Sequence, residues 1–289
     1  MNQTRKSAIT IVIAIVLGIG IAAAGSAGSA SSVGALPLFA VGIALAFVIN
    51  WAVFIPSNLA HTEKFFDLTG SLTYITVIIA SLALASERDA RSFIVAALVV
   101  IWAARLGAFL FRRIRADGKD GRFDAIKTHP VRFLSVWTIQ GLWVSLTLAA
   151  ALAATTSPTT TSLDVWAIIG IIVWGIGFAI EVIADAQKSR WRADPANAGR
   201  FITTGLWSRS RHPNYVGEIT LWIGMALIAV PTLDGWRYLT LISPAFVALL
   251  LIKVSGIPML EARADARWGG QDDYEDYKRT TPVLIPKLF

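Results

Sequence analysis

Residues Ser92–Phe111 read SFIVAALVVIWAARLGAFLF, and Arg105 is the one charge among them. As an α-helix, twenty residues reach about 30 Å, the thickness of a bilayer's hydrocarbon core. The stretch lacks the apolar–polar alternation of a barrel strand. A helix, which bonds its own backbone, is therefore the form it can take in lipid. Arg112, Arg113 and Arg115 follow at once and mark where the helix leaves the apolar phase.

Seven further segments have the same character. They are Ser7–Ala24, Ala35–Ile55 (stopped by Pro56), Ser71–Ala85, Phe133–Ala154, Leu163–Ala184, Tyr215–Val230 (stopped by Pro231) and Trp236–Ile257 (stopped by Pro258). The predicted fold class is all-α, a polytopic membrane bundle of about eight spans. Composition agrees: 55% of the 289 residues are hydrophobic and 16% charged, against roughly 25% charged in soluble domains. The first span has the basic start and small-residue end of a signal peptide. Its apolar run of about 18 residues exceeds the usual h-region of roughly 7–15, so a retained span is expected.

Lysine and arginine set the orientation. With the N-terminus inside, 22 of the 26 lie in inside segments: Arg5 and Lys6, Lys64, Arg112–Arg132, Lys188–Arg211, and Lys253 onward. Outside are only Arg88, Arg91 and Arg237. Such a bias places both termini in the cytosol. Trp51, Trp166, Trp207 and Trp236 sit near span ends, where indole anchors to the interface. The net charge of +7 reflects this topology, and no nucleic-acid partner is expected. With no cysteine, disulfides, thiolate zinc sites and Cys nucleophiles are excluded. His61, His129 and His212 share no metal-ligand spacing, and no metal is expected.

Polar groups inside or beside spans are costly and mark function. Glu181 and Asp185, in EVIADAQKSRWR, are four apart and share a helix face. Their repulsion calls for a nearby cation or ligand, and Lys188, Arg190 and Arg192 follow. In GLWSRSRHPNYVGE, Arg209, Arg211, His212, Asn214 and Tyr215 crowd just before and after Pro213, which suits a first helical turn. A helix start with flanking arginines favours an anion. Glu218 falls inside the seventh span and needs a partner. Arg105 lies mid-span, with Asp67, Glu181, Asp185 and Glu218 as candidate partners. The polar tail carries Arg263, Arg267, Tyr274 and Tyr277 and can fold over the cytosolic mouth. No Rossmann or Walker motif is present: GIGIAAAG and GIGF are small-residue helix contacts.

The strings GLWSRSRHPNYVGE, EVIADAQKSRWR and YEDYKRTTPVLIPKLF resemble the steroid 5α-reductase C-terminal superfamily, and more closely its bacterial branch. WAARLGAFLFRRI and FFDLTGSLTY fit that branch as well. The resemblance covers Phe65–Phe289. Residues 1–56 form two weakly matched N-terminal spans, and 57–289 a reductase-like core with a cytosolic tail. Isoprenylcysteine carboxyl methyltransferases and sterol reductases carry RHPxYxGE-like strings too.

The resemblance implies a seven-span core holding NADPH from the cytosolic side, and hydride transfer to a C=C bond conjugated to a carbonyl. Glu181 stands where the reductases have a cofactor-contacting asparagine. Asp185 and Arg192 match a cofactor-binding Asp and Arg. Asn214 matches an Asn at the nicotinamide, Glu218 a cofactor-holding Glu, and Arg105 an Arg near the cofactor. Asp67 matches a Glu that polarises the substrate carbonyl, and Trp102 replaces a carbonyl-binding Tyr. The arginine-rich mouth adds Arg209, Arg211, His212 and Tyr215 to the expected cofactor set, with Arg267 and Tyr277 from the tail. Expected catalytic residues are Asp67, Trp102 and Glu218. The expected partners are a lipophilic substrate and the bilayer, in a bacterial cytoplasmic membrane, with no oligomeric state assigned. The rival functions are an S-adenosylmethionine-dependent methyltransferase and a non-enzymatic lipid-binding protein.

Overall fold

The computed structural model of the chain describes residues 2–29, 31–117 and 120–287. Lys119, counted above among the inside basic residues, lies outside the described residues, as do Met1, Ala30, Gly118, Leu288 and Phe289.

Among the described residues, eight helical stretches are long and apolar enough to cross a bilayer. Five fall in the first half: α1 (Gln3–Gly25), α2 (Leu38–Leu59), α3 (Phe66–Leu84), α4 (Ala90–Asp117) and α5 (Pro130–Thr155). Then come α6 (Val165–Ala193), α7 (Pro213–Ala229) and the interrupted α8 (Ile242–Leu249). Two polar helices follow, α9 (Ile257–Trp268) and α10 (Asp272–Thr280). A two-residue hairpin, Ser32–Val33 with Leu36–Pro37, links α1 to α2. The protein is a polytopic helical membrane bundle, as its hydropathy predicts.

Proline placed two boundaries differently. Pro56 lies inside α2, which runs one turn further to Leu59. A proline this near the C-terminus deletes one intrahelical bond without ending the turn. Pro258 starts α9 rather than merely stopping a span. The break before it is a π turn, Leu250–Val254, followed by Ser255 and Gly256.

The chain forms two compact units. The first comprises residues 1–167 and 228–243. There α5 packs against α1, α2, α3 and α4. Its apolar window is 83% buried, against 28–50% for the other seven stretches, so α5 is shielded while its neighbours face lipid. The run Ala149–Ala154 is buried throughout; small side chains let neighbouring backbones approach. Its hydroxyls bond back to the helix, Thr138 to the Leu134 carbonyl and Ser145 to that of Gly141.

Arg88, Arg91 and Arg237, the three expected outside, have structural work in this unit. Arg88 donates to the carbonyl of Ala83, in the last turn of α3. Arg91, fully buried, donates to Ile228 O at 2.6 Å, in the last turn of α7, and pairs with Asp164 at 2.9 Å. Arg237, also buried, donates to Ala153 O at 2.5 Å, in the last turn of α5. Each satisfies a carbonyl that a helix end leaves open, and places a cation at the negative pole.

Trp207 is not the interface anchor expected of it, because it is buried, whereas Trp51 is half-buried. Trp51 bonds Thr138 Oγ1 at 3.0 Å, and buried Trp207 donates to Ala184 O at 3.0 Å. Trp166 and Trp236 are exposed.

The second unit comprises residues 168–227 and 244–289. Here α6 and α7 meet backbone to backbone. A Cβ on Gly177 would strike Leu221 N and Gly217 O, and one on Gly217 would strike Glu181 N. Gly170 and Gly177 on α6, with Gly217 and Gly224 on α7, repeat at seven residues, which keeps the bare stripes facing each other.

Candidate functional site

The second unit assembles most of the predicted residues. In the second half of α6, Glu181 and Asp185 are 2% and 7% exposed. Carboxylates this buried need compensation. Gly217 presses on the Glu181 backbone, and Glu218 is the next residue of α7. Glu218 is half-buried rather than buried.

Just past α6, the turn Gly205–Ser208 docks back onto that helix. Gly205 adopts a φ of +64°, and a Cβ there would collide with the Gln187 amide. Glycine meets both demands. Gln187 Oε1 then accepts the Leu206 N–H at 2.9 Å, and the Lys188 ammonium lies 4.1 Å from the Trp207 ring centroid. This turn leads into Arg209, Ser210, Arg211 and His212, after which α7 begins at Pro213, where the sequence places a helix start. The His212 carbonyl accepts from Tyr215 N–H at 3.1 Å, and the His212 and Tyr215 rings stack at 5.6 Å.

The tail supplies what this loop lacks. Glu261 on α9 places Oε1 at 2.7 Å from His212 Nε2 and Oε2 at 3.0 Å from Arg211 Nη1. The second contact is a charge contact, for Nη1 makes no aligned hydrogen bond. Beyond α10, Pro282 O accepts Arg211 N–H at 2.9 Å, Leu284 O accepts Ser210 Oγ–H at 2.8 Å, and Lys287 N–H donates to Arg209 O at 3.1 Å. Tyr277 donates its hydroxyl to Trp207 O at 2.7 Å. Burial pushes the Tyr277 phenol up, so it stays a donor. The tail thus folds over the RSRH loop.

Arg211 Nε and His212 Nδ1 are buried with no hydrogen-bond partner among the described residues. Leaving such atoms unpaired is costly. A ligand oxygen fits Arg211 Nε. His212 Nδ1 suits a ligand donor when the imidazole is neutral, or an acceptor when it is charged.

Other predicted residues are placed differently. Arg192, Arg209 and Arg267 are exposed, and the Arg267 guanidinium lies over the Trp268 ring at 5.0 Å. Asn214 is half-buried in the first turn of α7. Asp67, Trp102 and Arg105 lie in the first unit. There Asp67, in the first turn of α3, approaches Arg122 at 3.7 Å. Buried Trp102 meets the Tyr74 ring edge-on at 5.0 Å, and the Arg105 guanidinium lies 5.4 Å from the Phe109 ring.

Glu261, Gln187, Tyr74 and Arg122 are additions that the sequence reading did not make. Glu261 carried a usable signal. With Asp265 it repeats the four-residue carboxylate spacing that singled out Glu181 and Asp185.

Among known proteins, the chain is 36% identical over 59 residues to a probable O-methyltransferase of Ustilaginoidea virens, a match covering 20% of each chain. It is 23% identical over 232 residues to an uncharacterised protein of Schizosaccharomyces pombe, covering 68% of this chain and 67% of that one. No solved structure matches significantly. A family profile described as protein of unknown function, DUF1295, matches residues 53–281, and the chain is a member of that family.

Proposed function

We propose that this membrane protein is an NADPH-dependent reductase that transfers hydride to the C=C bond of a lipophilic enone, with its site open to the cytosol of a bacterial cell. The observation that carries this is the pair Arg211 and His212, tied to Glu261 and roofed by the tail, in the unit whose helix α6 buries Glu181 and Asp185. A scaffold has no need to bury two carboxylates and an imidazole in one unit. The resemblance of these same strings to steroid 5α-reductases supplies the choice of reaction.

The donor set fits a dinucleotide. Arg211 offers its buried Nε–H to a phosphate, and Arg209 and Arg192 add cationic reach at the exposed rim. When bound, NADPH supplies the hydride. Asn214, Tyr215 and Glu218, on the first turns of α7, would hold and orient the nicotinamide end. The resemblance gives a protonated Asp67 the carbonyl-polarising role and puts Trp102 where the reductases have a carbonyl-binding Tyr. Hydride addition builds negative charge on the carbonyl oxygen, and a donor there lowers the barrier.

The test uses NADPH deuterated at the transferable position, membranes containing the protein, and a panel of lipophilic enones. Deuterium found at the β-carbon of the saturated product is the expected result. NADPH that remains unoxidised with every enone and shows no binding would defeat the proposal.

A second reading is favoured by one observation, the match to a probable O-methyltransferase. It makes the same residues a site for S-adenosylmethionine. Label passing from the methyl group of that donor to a membrane lipid would establish it.

A further inference from the structure

The second unit contains a cleft of about 660 Å³ that the sequence does not signal. It opens where the end of α6, the segment 200–208 and α10 come together. Trp191, Phe201 and Tyr277 give it aromatic faces, and Asp273, Asp276 and Arg200 give it charge. Its size lies within the range of small-molecule sites.

The aromatic wall is held in place. The Tyr277 hydroxyl is tethered to Trp207 O, and the Phe201 ring lies 5.5 Å from that of Tyr277 and 5.2 Å from that of Tyr274. Trp268, which also meets Phe201 at 5.6 Å, is itself tied to Gly199 O at 2.6 Å. Flat rings of this kind stack on planar bases of any identity. Carboxylates beside them accept hydrogen bonds from an exocyclic amine or from ribose hydroxyls. Asp276 pairs with Arg279 and Asp273 accepts the Tyr274 N–H, which leaves each carboxylate further lone pairs for a polar ligand; an acyl chain would use neither carboxylate, and a bare metal ion would not use the rings.

Position along the chain points the same way. Ser208, which also lines the cleft, immediately precedes Arg209, and Arg211 follows two residues later. A ligand with its base in the cleft would extend its charged portion toward those arginines. We propose that this cleft receives the adenosine portion of a nucleotide cofactor. The assignment rests on the nucleotide-cofactor function proposed above. It holds for NADPH and for S-adenosylmethionine alike, since both carry adenosine.

The experiment titrates NADPH and S-adenosylmethionine into the detergent-purified full chain, as wild type, Trp191→Leu and Phe201→Leu. Reduced nicotinamide mononucleotide, which lacks adenosine, is titrated in parallel. Losing a stacking face is expected to weaken whichever cofactor the wild type binds by about ten- to a hundredfold. If that cofactor is NADPH, the mononucleotide should bind all three proteins equally. Photolabelling of the wild type with 8-azidoadenosine, followed by peptide mapping, keeps the test decisive if a variant misfolds. Label is expected within residues 191–208 or 273–281. A wild type that binds a cofactor while both folded variants match its affinity would overturn the cleft assignment and leave the nucleotide function standing. Label mapping elsewhere would do the same. A wild type that binds neither cofactor nor label would overturn both.

Discussion

The side chain on which the site turns is Glu261. Its carboxylate faces Arg211 and His212 together, so removing it strands a guanidinium and an imidazole in a poorly solvated place. Glu261→Ala should cost about 1–3 kcal/mol of stability. Adding Arg211→Ala should cost clearly less than the sum of the two single losses. Unfolding of the four proteins in detergent measures this, and strict additivity would show that the contact is idle. A second pair, Glu63 with Lys127 at 2.8 Å, pins the loop before α5. Burial pushes the Glu63 carboxyl up, but the Lys127 hydrogen bond and the Asp120 N–H outweigh this and hold it below the usual range. Lys127 is raised, chiefly by its hydrogen bond to Glu63. The stability from Glu63 is therefore complete at neutral pH and lost as pH falls through its lowered pKa. The share from Lys127 is complete below the ordinary lysine range and lost as pH rises above it. The difference in unfolding midpoint between wild type and Glu63→Gln should be flat near neutrality and shrink at both extremes. Glu181 and Asp185 were legible because charge inside an apolar run stands out. Glu261 was harder to pick out, because in a polar tail its spacing from Asp265 is ordinary until the fold brings it to His212.

Among the elements, the α6–α7 contact makes the sharpest demand. Gly177→Ala would push a methyl group into the backbone of α7, an overpacking that costs about 1–3 kcal/mol. Gly175, two residues earlier, has open space around it. Gly175→Ala should be neutral or stabilising by up to about 1 kcal/mol, since alanine is the better helix former. Thermal unfolding of the two variants side by side checks this, and equal effects would contradict the close approach. Helix positions were legible throughout, because about twenty apolar residues admit few alternatives. Helix ends were less so. Pro56 and Pro258 read as stops, yet the fold uses one inside a last turn and the other to start α9. The roles of Arg91 and Arg237 were hidden too, because they cap carbonyls distant in sequence.

For the whole molecule, the proposed orientation has a clean test because the chain contains no cysteine. Thr160→Cys should react with a membrane-impermeant maleimide in intact cells, and Ala198→Cys only after permeabilisation. The opposite pattern would invert the positive-inside assignment. Bundle class and span number were legible from hydropathy alone, whereas the chemistry was not, since an RHPxYxGE-like string accompanies more than one reaction. The deciding measurement is the binding of NADPH and S-adenosylmethionine, side by side, to detergent-purified protein, with Arg211→Ala as control. Saturable NADPH binding that is lost in Arg211→Ala is the predicted result. Binding of S-adenosylmethionine alone would contradict it in favour of methyl transfer, and binding of neither would remove the cofactor from the account.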